Sequence, residues 1–362
     1  MSLKKNDEIK LNIESVTSEG SALGRYNGLA VFVFGAVPGD VVEAHIIKVS
    51  KNYAVGIINE IIEKSPFRIE SDCPVSDKCG GCTFRSMTYE KELQSKLDFV
   101  NGNMERIAKL PIRCEEIIGA SDVLRYRNKA QYPVCIQGDD FCAGFYAYKS
   151  HRIVPAADCL LQPAEFKAGI EAFEKWALAA NVSSFDEKSG RGLLRHIYFR
   201  KAFATGEIMA CAVINGSSVP EPQMLVSFLQ SALPGLKSVV LNINKNKTNV
   251  ILGEKTKLLW GSEKITDMLL GKKFVISPQS FYQVNHAQCE KLYSAAAELA
   301  GLSGSETVLD MYCGAGTVGI SLSDKCKSLY GIEIVPQAVE NAIENARLNN
   351  LSNAEFICAD AY

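Results

Sequence analysis

Three cysteines, Cys73, Cys79 and Cys82, fall in a C-x5-C-x2-C run, and sulfur at that spacing is chemistry for a metal ion or an iron–sulfur cluster. Far downstream, Val308-Leu-Asp-Met-Tyr-Cys-Gly-Ala-Gly-Thr-Val-Gly319 has the small residues that let a cofactor approach the backbone. Together the two segments point to a cofactor-using enzyme. Zinc ribbons usually bring two tight pairs of ligands, whereas three close thiols with a distant fourth suit a cluster better. Zn²⁺ stays open as an alternative. No apolar run reaches the 18 or so residues of a membrane span, and the N-terminus lacks the apolar core of a signal peptide. A cytosolic protein with no membrane partner is expected. Its twelve cysteines then read as ligands or packing, not disulfides. The formal net charge of -2 gives no support to nucleic-acid binding, although an average can hide a basic face.

The glycine loop carries the finer argument. Asp310 closes a predicted strand, Gly314 and Gly316 turn the chain into a helix, and Glu333 follows 23 residues after Asp310, where an acid that grips ribose hydroxyls belongs. An acid opens this loop where a dinucleotide site has glycine. S-adenosylmethionine has no pyrophosphate and carries an amino acid end and a sulfonium, for which polar and acidic residues are natural partners. Asp360, after the third strand, stands where adenine is often contacted; a solvated loop acid is the equal alternative.

Elements must position these residues. Short alternating runs from Glu8 to about Glu63, punctuated by glycine and by Pro38-Gly39, predict a five-stranded barrel. The cysteine loop and a helix over Tyr89–Ala108 follow. Mixed strands and helices run to about Leu270, among them strands at Ala130–Ile136, Gly192–Arg200, Ile208–Ile214 and Ser238–Asn244, with helices around Ala164–Ala180 and Met224–Leu233. From Ala287 the order helix, strand, helix, strand, helix, strand predicts the first half of a doubly wound parallel sheet.

The barrel's Ile13-Glu-Ser-Val16, Gly20-Ser-Ala-Leu-Gly24 and Val37-Pro-Gly-Asp-Val41 resemble the TRAM domain, an OB-like barrel found with RNA-modifying enzymes. Asp310-Met-Tyr-Cys-Gly-Ala-Gly316 resembles the D-x-x-C-G-x-G loop of methyltransferases. With Cys73-x5-Cys79-Gly-Gly-Cys82 and Ile276-Ser-Pro-Gln-Ser-Phe-Tyr-Gln-Val-Asn285, the whole chain resembles the RNA (uracil-5-)methyltransferase family, bacterial 23S rRNA type. The resemblance implies a multidomain protein: a TRAM barrel at 1–63, an α+β central RNA-binding domain with the iron–sulfur loop at 64–270, and the first half of a Rossmann-like α/β methyltransferase domain at 271–362. The helix 89–108 is expected against the catalytic domain. It implies S-adenosylmethionine and a [4Fe–4S] cluster as cofactors, with Cys159 in Asp158-Cys-Leu-Leu-Gln-Pro163 as the fourth ligand. It also implies Gln283, Tyr312 and Glu333 as cofactor contacts, 23S rRNA as partner, and a monomer.

RNA contacts are expected from Arg125, Arg127 and Lys129, and from Arg195 with Arg191, His196 and Arg200, beside Tyr126, Tyr132 and Tyr198 for stacking. The alternative is that Tyr132 and Tyr198 are core, the arginines a solvated face and His196 a structural hydrogen bond. The family's reaction adds a cysteine thiolate to carbon 6 of uracil so that carbon 5 can accept the methyl group. The nucleophilic cysteine and the general-base glutamate are expected after Tyr362, so the chain as written is expected to be inactive. Cys313 is in the loop but is not the family's nucleophile. A transfer RNA methyltransferase, a non-catalytic RNA-binding protein and a dinucleotide oxidoreductase are the competing readings.

Overall fold

The computed structural model describes residues 3–361, and the chain divides into two compact units: residues 3–121 with 147–150, and residues 122–146 with 151–361. In the first, β1 (Glu8–Val16), β2 (Ser21–Tyr26), β3 (Leu29–Phe34), β4 (Val41–Val49) and β5 (Tyr53–Glu63) close into a barrel in the order β1-β2-β3-β5-β4. Alternation sends Leu11, Ile13, Val31, Val33, Val42 and Ile46 inward. Buried Asp40 accepts the amides of Val37 and Ser65 and pairs with Arg68, fastening β4 to the chain after β5. Burial alone would raise the Asp40 carboxyl, but Arg68 and the two amides hold it below the usual carboxylate range. The cysteine loop follows, then α1 (Tyr89–Arg106), which starts on a Thr88 cap that accepts the Lys91 amide at 3.4 Å.

The second unit carries a seven-stranded sheet. It contains β6 (Lys129–Gln137), β7 (Asp140–Tyr146), β8 (Ile153–Pro155), β9 (Leu194–Lys201), β10 (Ile208–Ile214), β11 (Leu236–Ile243) and β12 (Lys255–Gly261), in the order β12-β11-β10-β9-β6-β7-β8. β10 and β11 run parallel; the other neighbours are antiparallel. Pro133 has no amide to donate, and it stands where β6 stops pairing with β9 and starts pairing with β7. One face is covered by α2 (Glu165–Ala179) and α3 (Pro222–Ala232), which bury Phe166, Phe173, Trp176 and Leu229.

The opposite face meets the C-terminal elements. These are the hairpin β13 (Ile265–Leu269) and β14 (Lys272–Ile276), the helix α4 (His286–Ala300), and then β15 (Thr307–Met311), α5 (Thr317–Leu322), β16 (Ser328–Glu333), α6 (Pro336–Leu348) and β17 (Ala354–Cys358). Strands β15-β16-β17 pair in parallel, following the sequence alternation. Tyr198, Met209, Cys211 and Val213 of the central sheet share one core with Phe274, Ile276, Ile320 and Leu329. That continuous core makes one compact unit of the central sheet and the C-terminal layer, a cut different from the expected segments 64–270 and 271–362. No helix among the described residues is long and apolar enough to cross a membrane.

Candidate functional site

Asp310, next to last in β15, is half-buried, and its Oδ2 accepts the Gly319 amide at 2.8 Å, pinning the first turn of α5 to the strand that precedes it. Burial raises the Asp310 carboxyl, a shift that the Gly319 amide opposes. The intervening loop needs left-handed backbone at three places: Tyr312 (φ 63°), Gly314 (φ 55°) and Gly316 (φ 77°). Tyr312 is the costly one, since only glycine adopts this region freely. A Cβ on Gly316 would stand 2.9 Å from Ile320 and 3.1 Å from Phe356, so this glycine also lets the loop lie close over β17. Glu333 ends β16 and accepts the amides of Gly314 at 3.1 Å and Val335 at 2.9 Å. Asn345 completes the frame: its Oδ1 accepts the Val275 amide at 2.9 Å and its Nδ2 donates to the Ala315 carbonyl at 3.0 Å.

Gly314, Ala315 and Glu333 form one wall of a cleft of about 650 Å³, with the loop Ser277–Phe281 opposite. That volume suits a nucleoside-sized ligand. Of the seven expected cofactor residues, Gly314 and Glu333 line this cleft; Asp310 and Gly316 shape its loop from behind. Tyr312 lies 65% exposed on the loop. Gln283 is tied by its backbone, its carbonyl accepting from Asn128 Nδ2 at 2.8 Å, and Asp360 is exposed after β17. Cys313 is buried, and burial with the nearby Asp310 and Glu333 carboxylates pushes its thiol up to about 12. A thiol with that pKa is a poor nucleophile at neutral pH.

The loop opposite depends on residues whose role the sequence does not display. Arg200 is 1% exposed, and its Nη1 donates to the carbonyls of Ser277 at 3.1 Å and Ser280 at 2.9 Å. Tyr198, fully buried beside it on the same strand face, donates its hydroxyl to the Pro278 carbonyl at 3.2 Å. Arg195 is only 7% exposed; it donates to the carbonyls of Asn244 and Asn246 and lies over the Phe185 ring at 4.3 Å. These three side chains, among those expected at RNA, bond backbone carbonyls. Tyr132 is likewise fully buried.

Arg125, Arg127 and Lys129 are half-buried at the start of β6. Arg125 pairs with Asp158 at 2.8 Å and donates to the carbonyls of Cys159 and Gln162, while the amides of Arg125 and Arg127 donate to Leu160 and Leu161. The basic stretch thus braces the segment that contains Cys159. Burial, with Arg200 and Arg127 nearby, lowers the Lys129 ammonium.

Cys73, Cys79 and Cys82 lie in the loop before α1, and the Cys79 sulfur accepts the Gly81 amide at 3.4 Å. Among the described residues, however, no three His, Cys, Asp or Glu side chains converge closely enough to hold a metal ion. The reading of these thiols as cluster ligands therefore rests on residue type and spacing. Of the cysteines expected to be packing, Cys211, Cys289 and Cys326 are buried, Cys135 and Cys142 are half-buried, and Cys114 and Cys358 are exposed.

Residues 3–58 match the TRAM domain model and residues 302–362 a methyltransferase domain model. The chain is 41% identical over 360 residues to an uncharacterized RNA methyltransferase of Halalkalibacterium halodurans, spanning 99% of this chain and 79% of that protein. It is 42% identical over 358 residues to an uncharacterized RNA methyltransferase of Clostridium acetobutylicum, spanning 98% and 78%. Among solved structures, the tRNA (uracil-54, C5)-methyltransferase of Pyrococcus abyssi, in complex with S-adenosyl-L-homocysteine, is similar with a TM-score of 0.76 at 24% identity, over 97% of this chain and 79% of that one. That likeness shows a shared fold.

Proposed function

Because this chain belongs to the RNA methyltransferase family, we propose that it binds S-adenosylmethionine in the cleft between Glu333 and Ser277–Phe281 and methylates carbon 5 of uridine in RNA, 23S rRNA first. The observation that carries the cofactor reading is the glycine loop: Asp310 holds the Gly319 amide, and Glu333 holds the Gly314 amide and lines, with Gly314 and Ala315, a cleft of about 650 Å³. S-adenosylmethionine supplies the methyl group. In this reading Glu333 accepts ribose hydroxyls, and Gly314 leaves space for the ligand to approach the backbone. RNA reaches this site along Arg125, Arg127 and Lys129, with the TRAM barrel as a second contact.

The chemistry is covalent. A cysteine thiolate adds to carbon 6 of uracil, the resulting enolate takes the methyl group at carbon 5 as the methyl–sulfonium bond breaks and S-adenosylhomocysteine leaves, a base removes the carbon 5 proton, and the thiolate is eliminated from carbon 6. Cys313 is not proposed as that thiolate: it is buried, and burial with the Asp310 and Glu333 carboxylates pushes its thiol up. The choice of 23S rRNA rests on the resemblance of the TRAM barrel and the C-x5-C-x2-C run. A transfer RNA substrate is the second reading, favoured by the tRNA activity of the Pyrococcus abyssi protein of the same fold. A [4Fe–4S] cluster on Cys73, Cys79, Cys82 and Cys159 belongs to the first reading. An anaerobic absorption band near ~400 nm with about four irons per chain supports it, and a colourless, iron-free protein removes it.

The test of function is mass-spectrometric mapping of 5-methyluridine in rRNA and tRNA from cells with and without the gene. Loss of 5-methyluridine from 23S rRNA supports the proposal. Loss from tRNA alone replaces the substrate, and unchanged levels in both overturn it.

A further inference from the structure

A second cleft, about as large as the first at about 670 Å³, opens between β6, β7 and the segment from Ser184 to His196. Its inner wall holds two polar side chains without full partners. His196 is 6% exposed with Nδ1 unbonded, and Arg195 is 7% exposed with Nε unbonded. Buried polar atoms without partners are uncommon in folded proteins, and such an atom beside a cleft is one a ligand can satisfy. The walls also offer ring faces. Tyr146 and His151 lie 5.2 Å apart at 44°, held by Glu187 through the Tyr146 hydroxyl and the His151 ring, and Phe185 backs the Arg195 guanidinium. Arg152 and Lys188 stand in the lining beside Arg195, balanced by Asp140, Asp186 and Glu187, so the cleft offers local cations and no net positive field.

Flat rings, a guanidinium plane and adjacent cations are what an unstacked RNA base and its phosphate require. The cleft lies on the sheet face that carries the C-terminal layer. His196 shares a strand face with Tyr198, which belongs to that core, and pairs across with Pro133, two residues before Cys135. β6 therefore runs as a track from Asn128, bonded to Gln283, to Cys135 in the cleft, a span of about 23 Å at ~3.3 Å per residue.

We propose that the β6–β7 cleft is a second nucleotide pocket, which takes an unstacked base of the RNA substrate several nucleotides away from the methylated uridine. The proposal rests on the RNA-substrate reading above. It gives the enzyme a way to read sequence at a distance from the reacting base, since base contacts specify where phosphate contacts only position.

Cys135 and Cys142 face each other across β6 and β7 inside the cleft and serve as reporters. The experiment is alkylation by N-ethylmaleimide at pH ~8.5 with and without transcribed 23S rRNA, resolved by cysteine in the mass spectrometer, together with RNA and S-adenosylhomocysteine binding by Cys142→Trp, which fills the cleft. Expected are at least fivefold slower labelling of both cysteines on RNA, and at least tenfold weaker RNA binding by Cys142→Trp with unchanged S-adenosylhomocysteine affinity. RNA that binds at full strength while Cys135 and Cys142 label as fast as before overturns the pocket and leaves the substrate reading intact. RNA that does not bind the wild-type protein overturns both.

Discussion

Arg200 is the residue whose replacement tests the architecture of the cofactor cleft most directly. Arg200→Met keeps most of the side-chain length and removes the charge and both donors. Two hydrogen bonds from a charged group, to Ser277 and Ser280, are worth about 1.5–3 kcal/mol each. Part is returned because the variant no longer buries a cation. A net loss of about 3 kcal/mol remains, and at about 2–4 °C per kcal/mol for a unit of this size Tm falls by ~6–12 °C. The loop must then be ordered by the ligand, so S-adenosylhomocysteine binding weakens about tenfold, near 1.4 kcal/mol. Differential scanning calorimetry and isothermal titration calorimetry read the two effects, and Arg200→Lys, able to reach one carbonyl, falls between. A variant with Tm within roughly 2 °C of wild type and unchanged affinity would refute the clamp.

Glu333→Ala removes the acid expected at the ribose and weakens S-adenosylhomocysteine binding by about 1.5–3 kcal/mol; equal calorimetric affinities for variant and wild type sink that assignment. Gly316→Ala puts a methyl at φ 77° and 2.9 Å from Ile320, costing about 1–2 kcal/mol in urea unfolding, and an unshifted midpoint contradicts it. Burial, with Arg195 beside it, holds the His196 imidazole down at about 4 against 6.5 in the unfolded chain. Its folded pKa is the lower one, so its contribution is complete above pH ~6.5 and is lost as pH falls toward ~4, about 3 kcal/mol in all. His196→Phe flattens the Tm profile across that window; an equally steep profile means that other groups set it. His286 has the opposite sign. The Asp267 carboxylate raises it against burial, so its contribution is present below pH ~6.5 and fades as pH rises through the higher folded value. His286→Asn therefore loses more stability at pH 6 than at pH 8, and equal losses count against the pair.

The barrel and the β15–β17 alternation were legible because each strand has one wet and one dry side, or is flanked by an amphipathic helix, and both patterns show in the chain. The hairpin β13–β14 was not anticipated, although Leu270 (φ 49°) and Gly271 (φ 77°) make its two-residue turn. The burial of the β9 arginines was not legible, for a physical reason. Leu-Arg-His-Ile-Tyr-Phe-Arg-Lys reads as a strand with one polar face in water, yet both faces are buried. The carbonyls that satisfy Arg195 and Arg200 come from residues about 50 to 80 positions later in the chain, beyond the reach of local pattern. The glycine loop was visible as residue types; its cleft was not, because Ser277–Phe281 approaches it only through tertiary packing.

Asn345 has a consequence for the ageing of the molecule. Its one amide serves Val275 and Ala315 at once and is fully buried. Asparagine is among the thermolabile side chains, and hydrolysis to aspartate would keep an acceptor for Val275 while setting a carboxylate against the Ala315 carbonyl, with no donor left between them. Burial shields the amide from water, so the damage follows moments when α6 lifts from the loop. Chemical wear at this position is then a record of opening: old protein would lose its cofactor loop first in the molecules that had breathed most.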